Sequence, residues 1–387
     1  MQIPLSSPDI NDSDRTAVLD VLSSPTLSLG PKLPAFEEAV ARQTNSRFAV
    51  AVNSGTSGLH LCVKAANITD GDEVITSPFS FVASANCILY ERGKPVFVDI
   101  DPVTYNINPA RIPGAVTRRT RAILPVHVFG RPCKMDKILS IAERNSLAVI
   151  EDSCEAIGAK IGERSAGAFG QTGVFAFYPN KQMTTGEGGA IVTNDEKIAA
   201  LCRSWRNQGR STGSAWLEHE VLGYNYRLSD INCALGLSQL SRLNEILTRR
   251  AQVARWYDDA LRDVPGIVTP KLDEPGLTVS WFVYVITLRP EFTGLQRNHL
   301  LEQLKARGIG CNNYFTPIHL QPFYRQAFGY KRGDFPITES VEERTIALPF
   351  FTQMSESQVG YVRDSLHSLI SSTILRRADN SALAAYA

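Results

Sequence analysis

GVFAFYPNKQMTTGEGGAIVTND, residues 173–195, is the stretch whose reading decides the fold. Val174, Phe175, Ala176 and Phe177 form an apolar, β-rich run closed by Tyr178-Pro179, and residues 190–193 form a second one. Between them lies a polar turn carrying Lys181, with Gly173, Gly186, Gly188 and Gly189 around it. A lysine in a glycine-rich turn is usually a solvated surface residue. At the mouth of a turn between two buried strands it can instead lose water, and burial lowers an amine's pKa because the charged form loses hydration. Such an amine is both nucleophile and base, the two properties that Schiff-base chemistry needs.

Working outward, residues 48–150 alternate between short apolar runs and helical patterns. Strands are expected at 48–52, 73–76, 95–100, 122–128 and 147–150. Helices are expected after Ser57, at 80–90, at 109–116 and at 134–144. Strands apolar on both faces and separated by helices indicate an α/β fold with a mostly parallel sheet covered on both sides. Sites in such sheets lie beyond the carboxyl ends of the strands. Residues 53–57, residues 77–81, Asp152 and Lys181 all fall at such ends. Each has an ordinary explanation. Ser54-Gly55-Thr56-Ser57 can be a helix cap or an anion site at a helix start. Asp152 can close a turn or pair with a cationic nitrogen. Phe81 can be core or can stack on a flat ring.

The flanks complete the outline. Residues 1–30 read as an arm with one helix at 12–22, and 31–43 as an amphipathic helix presenting Phe36, Ala39 and Val40. After a helix at 196–205 and a loop, Ser229 is placed to cap one long helix reaching about residue 261. A strand at 281–288, a helix at 293–307, an irregular segment CNNYFTPIHLQPFY and a helix at 355–370 follow; the tail 376–387 is expected to be weakly ordered. The expected organisation is an arm (1–30), a large domain (31–250) and a smaller C-terminal α+β domain (251–387).

Composition narrows the function class. Forty Lys and Arg against 39 Asp and Glu leave no field favouring nucleic acid or an acidic membrane. No apolar run approaches the ~20 residues of a bilayer span, and the first residues show no secretory signal. Seven scattered cysteines without a CxxC pair suggest reduced thiols in the cytoplasm, and six dispersed histidines offer no metal-ligand spacing.

Taken together, the motifs resemble the DegT/DnrJ/EryC1/StrS family of pyridoxal-phosphate-dependent sugar aminotransferases, of aminotransferase fold type I. The resemblance is carried, in family order, by LGPKLPAFEEAVA, VNSGTSGLHL, GDEVITSPFSFVASANCILY, KPVFVDIDPVTYNI, ILPVHVFG, VIEDSCEAIGA, FAFYPNKQMTTGEGGAIVTND and GYNYRLSDINCALGLSQLSRL, over about residues 28–245. It implies that Lys181 is the Schiff-base lysine, Asp152 the partner of the pyridine nitrogen and Phe81 the aromatic covering the ring. It implies Gly55 and Thr56 in the phosphate cradle, and Asn225 as a phosphate ligand given to the neighbouring subunit of a homodimer. Arg227, Tyr314 and His319 fall in segments that border the substrate in similar proteins. Three departures stand out. Ala176 replaces a common serine whose hydroxyl contacts the phosphate, Glu155 stands where glutamine is common beside the ring, and Gln208 replaces a common histidine.

The resemblance implies transfer of an amino group, with L-glutamate as donor, to a nucleotide-linked 3- or 4-keto-deoxysugar. Pyridoxamine phosphate would form between the half-reactions, and the kinetics would be ping-pong. Two alternatives remain open at this point: a keto-inositol aminotransferase, and a catalytically silent regulatory member that keeps the fold. The Lys181, Asp152 and Phe81 set speaks against the silent reading.

Overall fold

The computed structural model describes all 387 residues except 212, 214, 216–217, 272–273 and 386–387, with the backbone alone after residue 372 of the last helix. Strands β1 (Phe48–Val52), β2 (Glu73–Thr76), β3 (Lys94–Phe97), β4 (Thr120–Leu124) and β5 (Ala148–Asp152) lead to a small ribbon, β6 (Lys160–Ile161) and β7 (Arg164–Ser165). Strands β8 (Thr172–Ala176) and β9 (Gly189–Thr193) complete a seven-stranded sheet of order β1-β9-β8-β5-β4-β2-β3. Only β9 runs antiparallel to its neighbours; the other pairings are parallel. The reversal is the Lys181 turn itself, because β8 and β9 pair with Ala176 opposite Gly189 and the chain between them must loop out at the carboxyl end of β8. The continuous apolar runs are explained by burial on both faces: every residue of β2 and β9 is buried.

Helices α1 (Asp12–Leu22), α2 (Lys32–Thr44), α3 (Gly55–Ala65), α4 (Ala83–Tyr90), α5 (Met135–Arg144), α6 (Glu196–Arg206), α7 (Asp230–Ser241) and α8 (Leu243–Leu261) surround this sheet and lead away from it. A second, antiparallel sheet has the order β10-β12-β13, from β10 (Ile267–Val268), β12 (Tyr284–Leu288) and β13 (Thr345–Leu348). Its core joins Tyr257, Tyr284, Leu300, Leu304 and Leu366, drawn from α8, α9 (Gly294–Ala306), β12 and the final helix (Glu356–Ala385). The intervening β11 (Leu277–Thr278) pairs with β6, tying the two regions together. Among the described residues no helix is long and apolar enough to cross a membrane.

Three expectations are corrected. The single helix from 229 to 261 is two, broken at Arg242 (φ −115°, ψ 17°). There the guanidinium turns to Asp9 and Asp14 of the N-terminal arm, a tertiary pull that periodicity does not register. Residues 109–116 form a 3₁₀ turn, Pro109–Ala115, with Pro113 inside it removing an α-helical donor. The final helix does not stop near residue 370 but continues to Ala385, through most of the tail. Residue 250, where a domain boundary is expected, lies inside α8.

Candidate active site

At the carboxyl ends of β5 and β8 lies a cavity of about 610 Å³. Its wall includes Ser54, Gly55 and Thr56 from the start of α3, Asp152, Lys181, Phe81 and Tyr314. Residues far apart in the chain therefore meet at one place, where the parallel sheet leaves its strand ends open.

Lys181 is nearly out of solvent, its side chain 14% exposed. Its Nζ lies 3.6 Å from Glu155 Oε1 and 3.9 Å from the centroid of the Phe282 ring. One anionic and one π contact thus hold the amine over the cavity. Glu155 is itself buried, and its other oxygen accepts from the Phe129 N–H at 2.8 Å. Burial raises its pKa, opposed first by the Lys181 charge and then by the Phe129 N–H.

Asp152 ends β5 with its side chain at the cavity and only 5% of its surface exposed. Ser84 Oγ donates to Oδ2 at 2.6 Å and the Cys154 N–H to Oδ1 at 3.1 Å. Ser80 Oγ lies 2.7 Å behind Ser84 Oγ, so a short hydroxyl chain orients the carboxylate. Ser84 is not among the residues expected from the sequence, although a serine four residues after Ser80 at a helix start lies on the same face and is a readable signal.

The start of α3 fits an anion. Ser54 caps it, its side chain accepting from the Ser57 N–H, and the following eleven-residue helix directs its dipole at the cavity. A side chain at Gly55 would come within 2.8 Å of Ala176 Cβ and Cys154 Sγ, so glycine and alanine together allow β8 and α3 to close on one another. Phe81 lines the wall and is 61% exposed, leaving a ring face open to the cavity. An amine, a buried carboxylate, an open aromatic face and a helix start on one wall match the donor set that pyridoxal phosphate requires.

Of the other expected residues, Tyr314 lines the cavity. Burial, reinforced by the Glu155 charge and opposed by a hydrogen bond with Asn180, pushes its hydroxyl up to about 12. Asn225 and Arg227 do not line the cavity of their own chain. Asn225 is exposed on an extended segment whose neighbours Tyr224 and Tyr226 stack on each other 4.9 Å apart and pack on His60. Arg227 donates to Asn207 Oδ1 at 3.1 Å. His319 stands apart as well: it is fully buried, with Nε2 3.0 Å from Glu339 Oε1 and its ring against Phe335. The cavity wall also includes Asn180, Phe282, Asn312, Asn313 and Thr316, none of them singled out from the sequence.

Comparison with known proteins places this geometry in context. The DegT/DnrJ/EryC1/StrS aminotransferase family matches residues 8–367. The chain is 38% identical to the spore coat polysaccharide biosynthesis protein SpsC of Bacillus subtilis, over 95% of this chain and 97% of that one. It is 36% identical to GDP-perosamine synthase of Caulobacter vibrioides, over 95% and 98%. Among solved structures it is similar to Helicobacter pylori PseC, an aminotransferase involved in the biosynthesis of pseudoaminic acid. That match has a TM-score of 0.91 at 29% identity, covering 96% of this chain and 100% of that one.

Proposed function

The chain belongs to the DegT/DnrJ/EryC1/StrS aminotransferase family and is a pyridoxal-phosphate-dependent sugar aminotransferase, and from that premise we propose that it moves an amino group from L-glutamate to a nucleotide-linked keto-deoxysugar. The observation that carries the reading is the convergence of Lys181, Asp152 and the α3 start on one cavity. Kinship with GDP-perosamine synthase and with a polysaccharide biosynthesis protein supports a sugar nucleotide as acceptor.

When bound, the cofactor supplies a carbonyl for the amino group and an electron sink for the carbanion at the donor's Cα. The protein does the rest. Lys181 would anchor the cofactor through Nζ and, once free, would move the proton from the donor's Cα to the cofactor in the first half-reaction and a proton from the cofactor to the acceptor carbon in the second. The Phe282 face and the Glu155 carboxyl keep that nitrogen in place between transfers. Asp152, aimed by Ser84 and Cys154, would pair with the protonated ring nitrogen in a site largely closed to water. Ser54, Gly55 and Thr56 would hold the phosphate, and Phe81 would cover the ring. Asn225, exposed and not lining the cavity of its own chain, is assigned to the site of a second copy, with a homodimer as the working unit.

Lys181→Ala should abolish the borohydride-reducible yellow adduct while leaving the fold intact; an adduct that survives places the covalent bond on another lysine. Mixing the protein with glutamate and a panel of keto-sugar nucleotides should give an amino-sugar nucleotide and 2-oxoglutarate by mass spectrometry. Failure to form an amino-sugar nucleotide from any of them would remove the proposed acceptor class, and failure to release 2-oxoglutarate would remove glutamate as the donor.

A further inference from the structure

Arg250 is a buried cation, 2% exposed, in the middle of α8. Among the described residues no carboxylate forms an ion pair with it. Burial lowers its pKa to about 9, opposed by the more distant Asp9, so it stays charged at neutral pH. A charge taken out of water without a paired anion is costly unless hydrogen bonds satisfy its donors. Here the guanidinium fork meets two successive carbonyls: Nε donates to Trp281 O at 2.8 Å and Nη2 to Phe282 O at 2.7 Å. Nη1 reaches Thr352 Oγ1 at 3.4 Å, and the guanidinium also lies 4.9 Å from the centre of the Phe350 ring.

The segment it grips is unusual. Trp281 has φ of 47°, a left-handed conformation that a bulky side chain adopts only when its surroundings impose it. On the other side, Ser280 N–H donates to Gly130 O at 3.0 Å and Phe282 N–H to Phe129 O at 3.3 Å. Gln182, next to Lys181, donates through Nε2 to Ser280 Oγ at 2.9 Å and to Glu155 O at 2.6 Å. The outcome of this lacing is one contact, the Phe282 ring 3.9 Å from Lys181 Nζ.

We propose that Arg250 is a positioning residue for the chemistry at Lys181: by clamping the Trp281 and Phe282 carbonyls it sets the aromatic face on which the amine rests. The inference depends on the reading that Lys181 forms the covalent bond. A small misplacement of a reacting nitrogen slows its attack disproportionately, so the effect belongs in the rate of bond formation and not only in stability.

The test uses the full chain stripped of cofactor, mixed with pyridoxal phosphate, with formation of the yellow reducible adduct followed in time. Arg250→Lys keeps the charge but not the fork, and should slow adduct formation about tenfold; Phe282→Leu, which removes the ring directly, should do the same. The double variant should be no more than about twofold slower than Phe282→Leu alone, because both changes remove one contact. A folded Arg250→Lys protein with a wild-type rate, or multiplicative effects in the double variant, overturns the proposal. Should Arg250→Lys not fold, Gly130→Ala presses the same segment from its other side. The added Cβ there would lie 3.0 Å from the Trp281 nitrogen at a φ of +86°. It should slow adduct formation similarly, and a wild-type rate overturns the proposal. Lys181→Ala is run beside these: an adduct in that variant defeats the assignment of Lys181, whereas its absence with an unslowed Arg250→Lys defeats only the role of Arg250.

Discussion

Glu151 and Asp152 are consecutive acids at the end of one strand, and they live opposite lives. Strand alternation sends their side chains to opposite faces of the sheet. Glu151 is fully buried and accepts from four donors: His127 Nε2 at 2.9 Å and the N–H groups of Gly167, Phe169 and Gly170 at 2.9, 2.6 and 2.5 Å. The Cys133 N–H donates to His127 Nδ1 at 2.9 Å, which leaves the proton on Nε2 to point at Glu151. A carboxylate offers about four lone-pair sites, so Glu151 is saturated by the protein and stitches the 167–170 turn to the sheet. Asp152 receives one hydroxyl and one backbone N–H and turns the rest of its acceptor capacity to the cavity. Burial alone therefore does not mark a functional acid. The capacity left open towards a cavity does.

The sharpest way to break this comparison is to neutralise each acid without changing its shape. Asp152→Asn should retain the cofactor yet transaminate about a hundredfold more slowly or worse, because a preorganised charge facing a cation is lost. Near-normal turnover would remove Asp152 from the mechanism. Glu151→Gln should do the reverse. Its amide would confront N–H donors, costing about 2 kcal/mol of stability, while turnover per folded molecule stays within about twofold. Thermal unfolding beside steady-state kinetics separates the two; a Glu151 variant of normal stability and poor turnover would merge the roles that the geometry keeps apart.

The two acids also show what can be read in the chain itself. VIED ends an apolar run, which is enough to put Asp152 at a strand end, and the strand–turn–strand around Lys181 is equally plain. The start of α3 is legible because its cap and its glycine are local signals. What stays hidden is set by contacts across the fold. Arg250 looks like any helical arginine, and Trp281 takes a left-handed conformation without the glycine or asparagine that usually announces one. His319 sits in a stretch that reads as pocket lining, yet its ring is held by Glu339, on a helix twenty residues away. The break at Arg242 is invisible for the same reason, since Asp9 and Asp14 act on it from the far end of the chain.

Glu155 is the intermediate case and gives the smallest and most conditional effect. One oxygen is satisfied by Phe129 and the other faces Lys181, so it is neither saturated nor open. Burial, the largest influence, raises its pKa above the ordinary value of 4.5. A carboxyl whose pKa is raised on folding binds its proton more tightly in the folded chain than in the unfolded one. Its contribution to stability is therefore full below the unfolded pKa and is lost as pH climbs through the folded one. Glu155→Gln removes that titration. In the cofactor-free chain, the unfolding midpoints of the two proteins should lie close together at about pH 4, and the variant should gain on the wild type towards about pH 8. A gap that stays constant across that range would mean that Lys181 compensates the buried carboxylate in full, which would place Glu155 with Glu151 as a satisfied structural acid.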